Sequence, residues 1–345
     1  MIKSSVKLIA IDPSSSAYFE DRLFDESNMV LNRDDTLSPF IRLRAAAALR
    51  GVKMHTADLI FNKGLPLSEE CDYYSLGILT NFRQLRNTKG VNLKAFFIME
   101  PPVVDKSLYQ ALPELTALFE RVYVHNTIGN GYSLKGVDQS KLRQLYWPQP
   151  RAEVFEPFWS HKPRQRRIVI INGNHKPGSF DGELYSKRIE AMVDLAKTGV
   201  IDLYGRGWAR WWSRSSMWLP YWRNRKTLMS IYKGACSSKY EVMSDYTFAL
   251  CFENMEMQGY VTEKIFDCFY AGAIPLYLGA SDISELIPKE SFIDCRKFSS
   301  WNQMADEVLN ISDREKQVLQ DAGRNFIKSN AGMRYYNFMT EAFYI

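Results

Sequence analysis

The sequence lacks any apolar run long enough to span a membrane, which takes about 20 consecutive apolar residues. Its apolar stretches are broken by charged residues or proline short of that length. The N-terminal segment, MIKSSVKLIAIDP, has one short apolar run that leads directly into Asp12 and Pro13. A signal peptide has a longer apolar core and a small-residue cleavage site. We therefore predict a first β-strand here, no transmembrane helix, and a cytoplasmic protein.

Cysteines are few, and their positions argue against several kinds of site. Their spacing matches neither a metal site nor a redox pair, and their odd number does not suit a disulfide framework. Reduced thiols in a cytosolic protein fit this pattern best. The net charge of +5 suits an anionic ligand, an acidic membrane surface or nucleic acid, so it does not choose among them. The five residues are Cys71, Cys236, Cys251, Cys268 and Cys295.

The composition, with 46% apolar and 24% charged residues, is that of a globular protein. A chain of 345 residues exceeds the usual size of one domain, so two domains are expected. Four prolines between Leu145 and Pro163 predict a linker. We place an N-terminal, acceptor-side domain at 1–155, a donor-binding domain at 156–328, and a segment at 329–345 that packs back on the first domain.

Both halves alternate short apolar runs with helical patterns, which predicts the α/β class with mostly parallel sheets. Each domain should therefore resemble a Rossmann fold. In open α/β sheets, ligands bind outside the carboxyl ends of the strands. We expect the active site in a cleft between the two domains.

The stretch from Tyr246 to Gly279, YTFALCFENMEMQGYVTEKIFDCFYAGAIPLYLG, carries the most information. It predicts a buried strand at Phe248 to Phe252, a polar loop, a helix from Glu263 that Thr262 caps, and a second strand. Lys264 then lies in the first helical turn, where the positive helix end repels it unless an anion lies between them. Helix starts also offer N–H groups to anions. The pattern therefore predicts an anion-binding site, which looks like a site for the diphosphate of a nucleotide sugar.

Three polar side chains nearby are candidate ligand contacts. Glu263 lies in the first helical turn, although a glutamate there is also ordinary because it complements the helix dipole. Asn254 and Tyr260 lie in the loop, where they are placed to stack on or hydrogen-bond a sugar or base. A buried tyrosine that caps a loop is an equally common alternative.

Two further residues are candidates for chemistry. A helix predicted from Glu183 to Lys197 places Arg188 inside its apolar arc, where a guanidinium needs a protein carboxylate or a bound phosphate as its partner. In the first domain, the run AFFIMEPPVV ends a strand in Glu100, followed by two prolines. A carboxylate at this end of a strand suits a general base. A structural ion pair for Arg188 and a solvated loop position for Glu100 are the simpler alternatives.

The segment from Trp208 to Lys226 contains five of the eight tryptophans, interleaved with arginines. Such density is found in membrane interfaces, in carbohydrate platforms and in surfaces that stack nucleic-acid bases. We favour contact with a membrane surface or an acceptor. Nucleic acid ranks last because no recognised nucleic-acid motif accompanies the segment, and part of it also suits core packing.

The Tyr246 to Gly279 stretch resembles the donor-binding signature of glycosyltransferase family 10, the α-1,3/4-fucosyltransferases, with Y-x-F-x-L-x-F-E-N followed by Y-[VI]-T-E-K. The segment LYSKRIEAM before IDLYG and, more weakly, FFIMEPPVV resemble further parts of that family, in its bacterial type. The resemblance implies a GT-B fold and an inverting transfer of L-fucose from GDP-fucose to a hydroxyl of an acceptor glycan, of the α-1,3 type. The acceptor would be a glycan or a lipid-linked oligosaccharide.

The resemblance also implies roles for individual residues. Glu100 corresponds to the general base, and Glu253 more closely to a residue that organises the loop. The family often has serine after F-E-N, where this chain has Met255, so the resemblance gives that position no role. The diphosphate contacts are implied for Arg188 and Lys264, and the other donor contacts for Asn254, Tyr260 and Glu263.

No Asp-x-Asp pair lies near this stretch, which argues against a metal-bridged mechanism and for a reaction that requires no cofactor besides the GDP-fucose substrate. The resemblance, without the membrane anchor of animal members, implies a cytoplasmic enzyme. Peripheral attachment to the inner face of the membrane through Trp208 to Lys226 is a further expectation. Two alternatives stay open. One is a GT-B transferase that uses another nucleotide-activated sugar in surface-polysaccharide synthesis, and the other is a non-catalytic protein that binds glycans or membrane surfaces.

Overall fold

The computed structural model describes residues 7–61, 70–159, 163–210 and 218–345. The chain divides into two compact units, Met1–Arg151 with Arg334–Ile345 and Ala152–Met333. Each unit contains a six-stranded sheet in which every strand pair is parallel. The predicted α/β class is therefore confirmed.

The sheet of the first unit has the strand order β2-β1-β3-β4-β5-β6. Its strands are β1 (Leu8–Asp12), β2 (Lys53–Thr56), β3 (Cys71–Ser75), β4 (Val91–Phe97), β5 (Arg121–Val124) and β6 (Leu142–Gln144). The helices before and between them are α1 (Ser38–Leu49), α2 (Ala57–Phe61), α3 (Asn81–Leu85), α4 (Lys106–Gln110) and α5 (Leu112–Leu118). β1 and β3 are buried along their whole length, as expected of strands that are covered on both faces.

The end of the chain contributes to the core of the first unit. Phe343 stacks on Phe97 of β4 with ring centroids 5.7 Å apart, and Phe97 stacks in turn on Tyr123 of β5 at 4.7 Å. Phe338 meets the Tyr123 ring edge-on at 5.5 Å. Apolar burial of this kind stabilises each large side chain by roughly 1.5–3 kcal/mol. The terminal aromatic residues are thus part of the first unit rather than an appendage.

The sheet of the second unit has the order β12-β11-β10-β7-β8-β9. Counted from the β9 edge, this is the Rossmann order, in which the first and fourth strands of the unit lie side by side. The strands are β7 (Gln165–Ile171), β8 (Ile201–Tyr204), β9 (Tyr232–Gly234), β10 (Tyr246–Phe252), β11 (Ile274–Leu278) and β12 (Ile293–Asp294). The direction of connection reverses between β7 and β10, so a ligand site is expected beyond their carboxyl ends.

Helices of very different length accompany this sheet. They are α6 (Glu156–Trp159), α7 (Tyr185–Lys197), α8 (Leu219–Ile231), α9 (Lys239–Ser244), α10 (Glu263–Ala271), α11 (Ile283–Leu286), α12 (Trp301–Asn310), α13 (Asp313–Lys328) and α14 (Asn330–Ala342). The central strand β10 is buried at all seven positions, and seven of the nine residues of α10 are buried behind it. α10 ends at Gly272, whose left-handed backbone (φ 73°) suits a residue without a Cβ. None of the helices in the described ranges is long and apolar enough to cross a membrane.

Candidate functional site

A buried glutamate joins the end of β10 to the start of α10. Glu253 follows β10 directly and is 0% exposed. Its Oε1 accepts from the backbone N–H of Thr262 at 2.9 Å, and its Oε2 accepts from the Thr262 hydroxyl at 2.8 Å and from Lys264 Nζ at 3.0 Å. A buried carboxylate is costly unless it is paired and hydrogen-bonded. These donors therefore fix the first turn of α10 against the strand end.

The prediction that the Thr262 side chain caps this helix is wrong in one respect. α10 does begin at Glu263 with Thr262 in the N-cap position, but the Thr262 hydroxyl accepts no hydrogen bond from the helix backbone. It donates to Glu253 instead, and it accepts from Lys264 Nζ at 2.9 Å. The Thr262 hydroxyl donates to the buried carboxylate because a carboxylate left without donors costs more free energy than a helix N–H that bonds another partner.

Lys264 has the anionic neighbours that its position in a first helical turn demands. Its Nζ lies 3.0 Å from Glu253 Oε2 and 3.6 Å from Glu263 Oε1. Burial alone would lower the pKa of Lys264, but the charges of Glu253 and Glu263 outweigh it and raise the pKa well above its ordinary value. Burial would likewise raise the pKa of Glu263, but Lys264 and Lys239 hold that pKa below its usual range. The lysine therefore stays charged at neutral pH.

Arg188 lies in α7 and is only 4% exposed. Its Nη2 donates to the carbonyl oxygens of Phe252 and Glu253, at 2.8 and 3.0 Å, and more weakly to the side-chain oxygen of Asn254 at 3.4 Å. No carboxylate of the described residues lies within ion-pair distance of this guanidinium. Burial lowers the pKa of Arg188, yet an arginine keeps its charge in proteins. A buried cation held by neutral acceptors is suited to an anionic ligand.

The backbone brings Arg188 and the loop after β10 together. The N–H of Leu184 donates to the carbonyl of Asn254 at 3.0 Å, and the N–H of Glu256 donates to the carbonyl of Gly182 at 2.9 Å. Met255 forms the antiparallel bridge between these two bonds and is buried beside Gly182. Met255, the loop position with no role in the predicted signature, thus joins the loop to the segment that starts α7.

These residues surround a cavity of about 230 Å³ at the carboxyl ends of β7 and β10. Four of the five predicted donor contacts line it, namely Arg188, Asn254, Glu263 and Lys264. The fifth, Tyr260, is 1% exposed and does not line the cavity; it is close enough to influence the pKa of Arg188. Its predicted contact with the donor therefore stays a prediction.

Lys239, Asp267 and His175 also line the cavity and were not among the predicted contacts. Lys239 starts α9 and pairs with the buried Asp267 at 2.5 Å, and both line the cavity. Asp267 lies four residues after Glu263, and this helical spacing was a usable signal. His175 also lines the wall, and burial, followed by the Arg188 charge, lowers its pKa. Within the described ranges, no three metal-ligating side chains form a cluster.

Glu100 belongs to the first unit, separate from the other predicted residues. It lies three residues beyond the end of β4 and is half-buried, and the buried Pro101 and Pro102 follow it. Its carbonyl oxygen accepts from the hydroxyl of Tyr109 at 3.1 Å. The predicted position at the carboxyl end of a parallel strand is thus observed.

Part of the tryptophan-rich segment belongs to the core. Trp208 is 2% exposed and donates through Nε1 to the carbonyl of Asn172, a cavity residue, at 2.8 Å. Tyr221 is fully buried, and its hydroxyl donates to the Trp208 carbonyl at 2.7 Å. Leu219 and Trp222 remain 58% and 41% exposed on α8. Residues 211–217 of the segment lie outside the described residues.

A Rossmann-ordered sheet with a basic cavity where its strand order reverses is the architecture of a nucleotide-binding domain. Residues 164–320, just under half of the chain, match the glycosyltransferase family 10 (fucosyltransferase) C-terminal domain. The second unit is therefore similar to the C-terminal domain of that family, and the resemblance predicted from the sequence is confirmed. The same match supports the predicted class of enzyme, a glycosyltransferase.

Curated relatives cover short stretches of the chain. An α-(1,4)-fucosyltransferase of Arabidopsis thaliana is 41% identical over 71 residues, which are 21% of this chain and 18% of that protein. The α-(1,3)-fucosyltransferase FucT of Helicobacter pylori is 30% identical over 99 residues, 29% of this chain and 21% of that protein. The chain thus spans about a fifth of the length of these relatives.

A solved structure shows the fold over the whole chain. A glycosyltransferase from Rickettsia africae superposes with a TM-score of 0.55, covers 99% of both chains, and shares 10% of its residues with this chain. At this identity the likeness concerns the fold alone. The predicted fold class, GT-B with two Rossmann-like units, is therefore confirmed, while the predicted active site between them stays a prediction.

The pairing of Lys264 with Glu253 predicts a large difference between two lysine substitutions. Lys264→Met leaves the buried Glu253 carboxylate without its cation, which should lower the free energy of unfolding by about 3 kcal/mol. Lys187→Met removes an exposed ion pair with Glu190 and should change the free energy of unfolding by less than about 0.5 kcal/mol. Urea unfolding at neutral pH measures both.

Adding Glu253→Gln to Lys264→Met should recover part of the loss, because a neutral amide needs no counter-charge. Equal stabilities of Lys264→Met and Lys187→Met would contradict the assigned pairing.

Proposed function

We propose that this protein is an inverting glycosyltransferase that moves L-fucose from GDP-fucose to a hydroxyl of an acceptor glycan, in an α-1,3-type linkage. The observation that carries the proposal is the buried Arg188 guanidinium, held by carbonyl oxygens and lining the same cavity as Lys264. Its place in a family 10 C-terminal domain supports a nucleoside-diphosphate sugar as the ligand. The acceptor would be a glycan or a lipid-linked oligosaccharide.

The donor would bind with its diphosphate against the two cations. Arg188 offers a fixed fork of donors, and its charge is not cancelled by a carboxylate of the described residues. Lys264 adds a second permanent charge, and its neighbours Glu253 and Glu263 keep it protonated. Because the departing diphosphate gains negative charge as the bond to fucose breaks, cations placed in advance stabilise the transition state more than the ground state.

Neighbouring cavity residues would contact the rest of the donor. Glu263 and the side-chain amide of Asn254 present an acceptor and a donor to hydroxyl groups of the ribose or fucose. Tyr260 would support this loop from behind, beside Arg188. Glu253 would act only by holding the first turn of α10 in place.

Glu100 would remove the proton from the acceptor hydroxyl as that oxygen attacks the anomeric carbon of fucose. The new C–O bond forms while the bond from this carbon to the β-phosphate oxygen breaks, and GDP leaves with the electron pair. One displacement inverts the configuration at the anomeric carbon. A positioned general base contributes about 10²- to 10⁴-fold to such a rate. The proposal includes no metal ion and no cofactor.

We expect GDP and GDP-fucose to raise the melting temperature of the protein more than UDP and UDP-glucose do. A ligand at about 100 times its Kd stabilises the folded state by about 2.7 kcal/mol. Arg188→Met should abolish this shift, whereas Arg166→Met, at the exposed amino end of β7, should preserve it. A larger shift with UDP-sugars would assign another activated sugar as the donor.

Glu100→Gln should lower kcat by about 10²- to 10⁴-fold without reducing the shift caused by GDP, because it removes the base and leaves the donor cavity intact. Glu120→Gln, an exposed glutamate of the same unit, serves as the control. Mass spectrometry of products from GDP-fucose and a panel of glycan and lipid-linked acceptors measures turnover. An unchanged rate in Glu100→Gln would remove Glu100 from the base role, and binding without turnover by the unaltered protein would favour a non-catalytic role.

We further propose that one face of α8 attaches the protein to anionic membranes. Leu219, Trp222, Arg223 and Lys226 recur at helical spacing, and all four are exposed. Exposed apolar groups flanked by basic ones suit the headgroup region of an acidic bilayer. This face is smaller than the whole tryptophan-rich segment, because Trp208 and Tyr221 belong to the core.

Sedimentation with vesicles of phosphatidylglycerol and phosphatidylcholine at low salt should capture the protein, and higher salt should release it. The pair Leu219→Ser and Trp222→Ser should reduce capture several-fold. Val318→Ser, which changes an exposed valine on α13, should not. Equal binding to neutral vesicles, or no binding at low salt, would contradict this attachment.

A further inference from the structure

The chain leaves the sheet of the first unit just before Glu100. The last ladder bond after β4 runs from the N–H of Ile98 to the carbonyl of Tyr123, at 2.9 Å. Pro101 and Pro102 carry no N–H group, so this stretch cannot continue the pairing through them. The carbonyl groups of Met99 and Glu100 therefore need donors from outside the ladder.

Two buried side chains supply those donors. His125, which directly follows β5 and is 0% exposed, has its Nε2 2.7 Å from the Met99 carbonyl oxygen. A carbonyl only accepts, so this nitrogen carries the proton. Tyr109 of α4 is 5% exposed, and its hydroxyl donates to the Glu100 carbonyl at 3.1 Å. One donor thus comes from the residue after the neighbouring strand β5 and the other from the following helix α4.

Aromatic neighbours restrict both donors. The His125 ring lies nearly parallel to Trp147, with centroids 6.3 Å apart and an angle of 12° between the planes. The Tyr109 ring packs against Tyr132 with centroids 4.8 Å apart. Burial raises the pKa of Tyr109, and the charges of Tyr132 and Glu100 raise it further, so the phenol remains a donor at every working pH. Neither donor can rotate away without breaking a packed contact.

We infer that His125 and Tyr109 are positioning residues that fix the two peptide groups on either side of the Glu100 Cα and thereby aim the Glu100 carboxylate at the acceptor hydroxyl. The inference rests on the proposed function, because it assigns work to residues that serve the proposed base. Well-oriented groups account for a large part of catalysis, and a displacement of about 1 Å can reduce a rate about 100-fold. Two hydrogen bonds that remove the freedom of this short segment are therefore expected to act on kcat.

The test compares Tyr109→Phe, His125→Leu and His125→Gln in the full chain with GDP-fucose and its acceptor. Tyr109→Phe removes one oxygen and should lower kcat about 5- to 10-fold, and His125→Leu should lower it about 10- to 100-fold. His125→Gln keeps an N–H donor and should restore most of the rate. KM for GDP-fucose and the thermal shift with GDP should stay unchanged. Tyr123→Phe, which removes a buried hydroxyl that donates to the Ala342 carbonyl, is the matched control and should stay within about twofold.

The same substitutions in a Glu100→Gln background separate positioning from general stability. With no base left to aim, Tyr109→Phe and His125→Leu should cause no further loss of rate, whereas a merely structural role would lower it again. Unchanged kcat in Tyr109→Phe, or the same loss with and without Glu100, would overturn the inference alone. Absence of turnover and of GDP stabilisation in the unaltered chain would overturn the proposed function, and this inference with it. Tyr109→Phe decides the question even if His125→Leu does not fold.

Discussion

The site in the second unit depends on satisfying one buried negative charge, the Glu253 carboxylate. Its side chain takes both donors of Thr262 and the ammonium of Lys264, and its backbone carbonyl takes Arg188. Because a buried carboxylate without these donors would cost several kcal/mol, the strand end, the helix start and two cations have little freedom to move apart. The geometry that a diphosphate would use therefore exists before any ligand binds, as an outcome of folding.

The two cations are held in opposite ways, and this difference gives the cavity its charge. Lys264 is paired with glutamates, which keep it protonated but cancel much of its field. Arg188 is held by carbonyl oxygens, which orient the guanidinium without neutralising it. An anion entering the cavity thus meets one charge that is available at once and one that it must share with Glu253 and Glu263. The arginine is accordingly expected to supply more of the affinity for a diphosphate.

Local sequence patterns predicted the parts of this site that depend on periodicity. β10 was predicted from its continuous apolar run, and the place of Arg188 within the apolar arc of α7 follows from the 3.6-residue repeat. The direction of the Thr262 hydroxyl could not be predicted, because it depends on the desolvation of Glu253. The bonds that join Gly182 and Leu184 to the loop after β10 link positions about 70 residues apart, and no local pattern encodes them. Strands of three residues, such as β6 and β9, are too short to show a repeat.

The two units also differ in how strongly the geometry of each site restricts the residue types that can form it. A buried charge pair needs a carboxylate and a cation at fixed places, so the site around Glu253 leaves a recognisable signature, and the family match covers 164–320. The backbone of Glu100 is held through its own carbonyl and that of Met99, and a carbonyl accepts from any donor that can reach it. Histidine and tyrosine supply the donors here, but the two carbonyls do not require these residue types. The hydrogen bonds at Glu100 therefore restrict the local sequence less than the buried ion pair of Glu253 does.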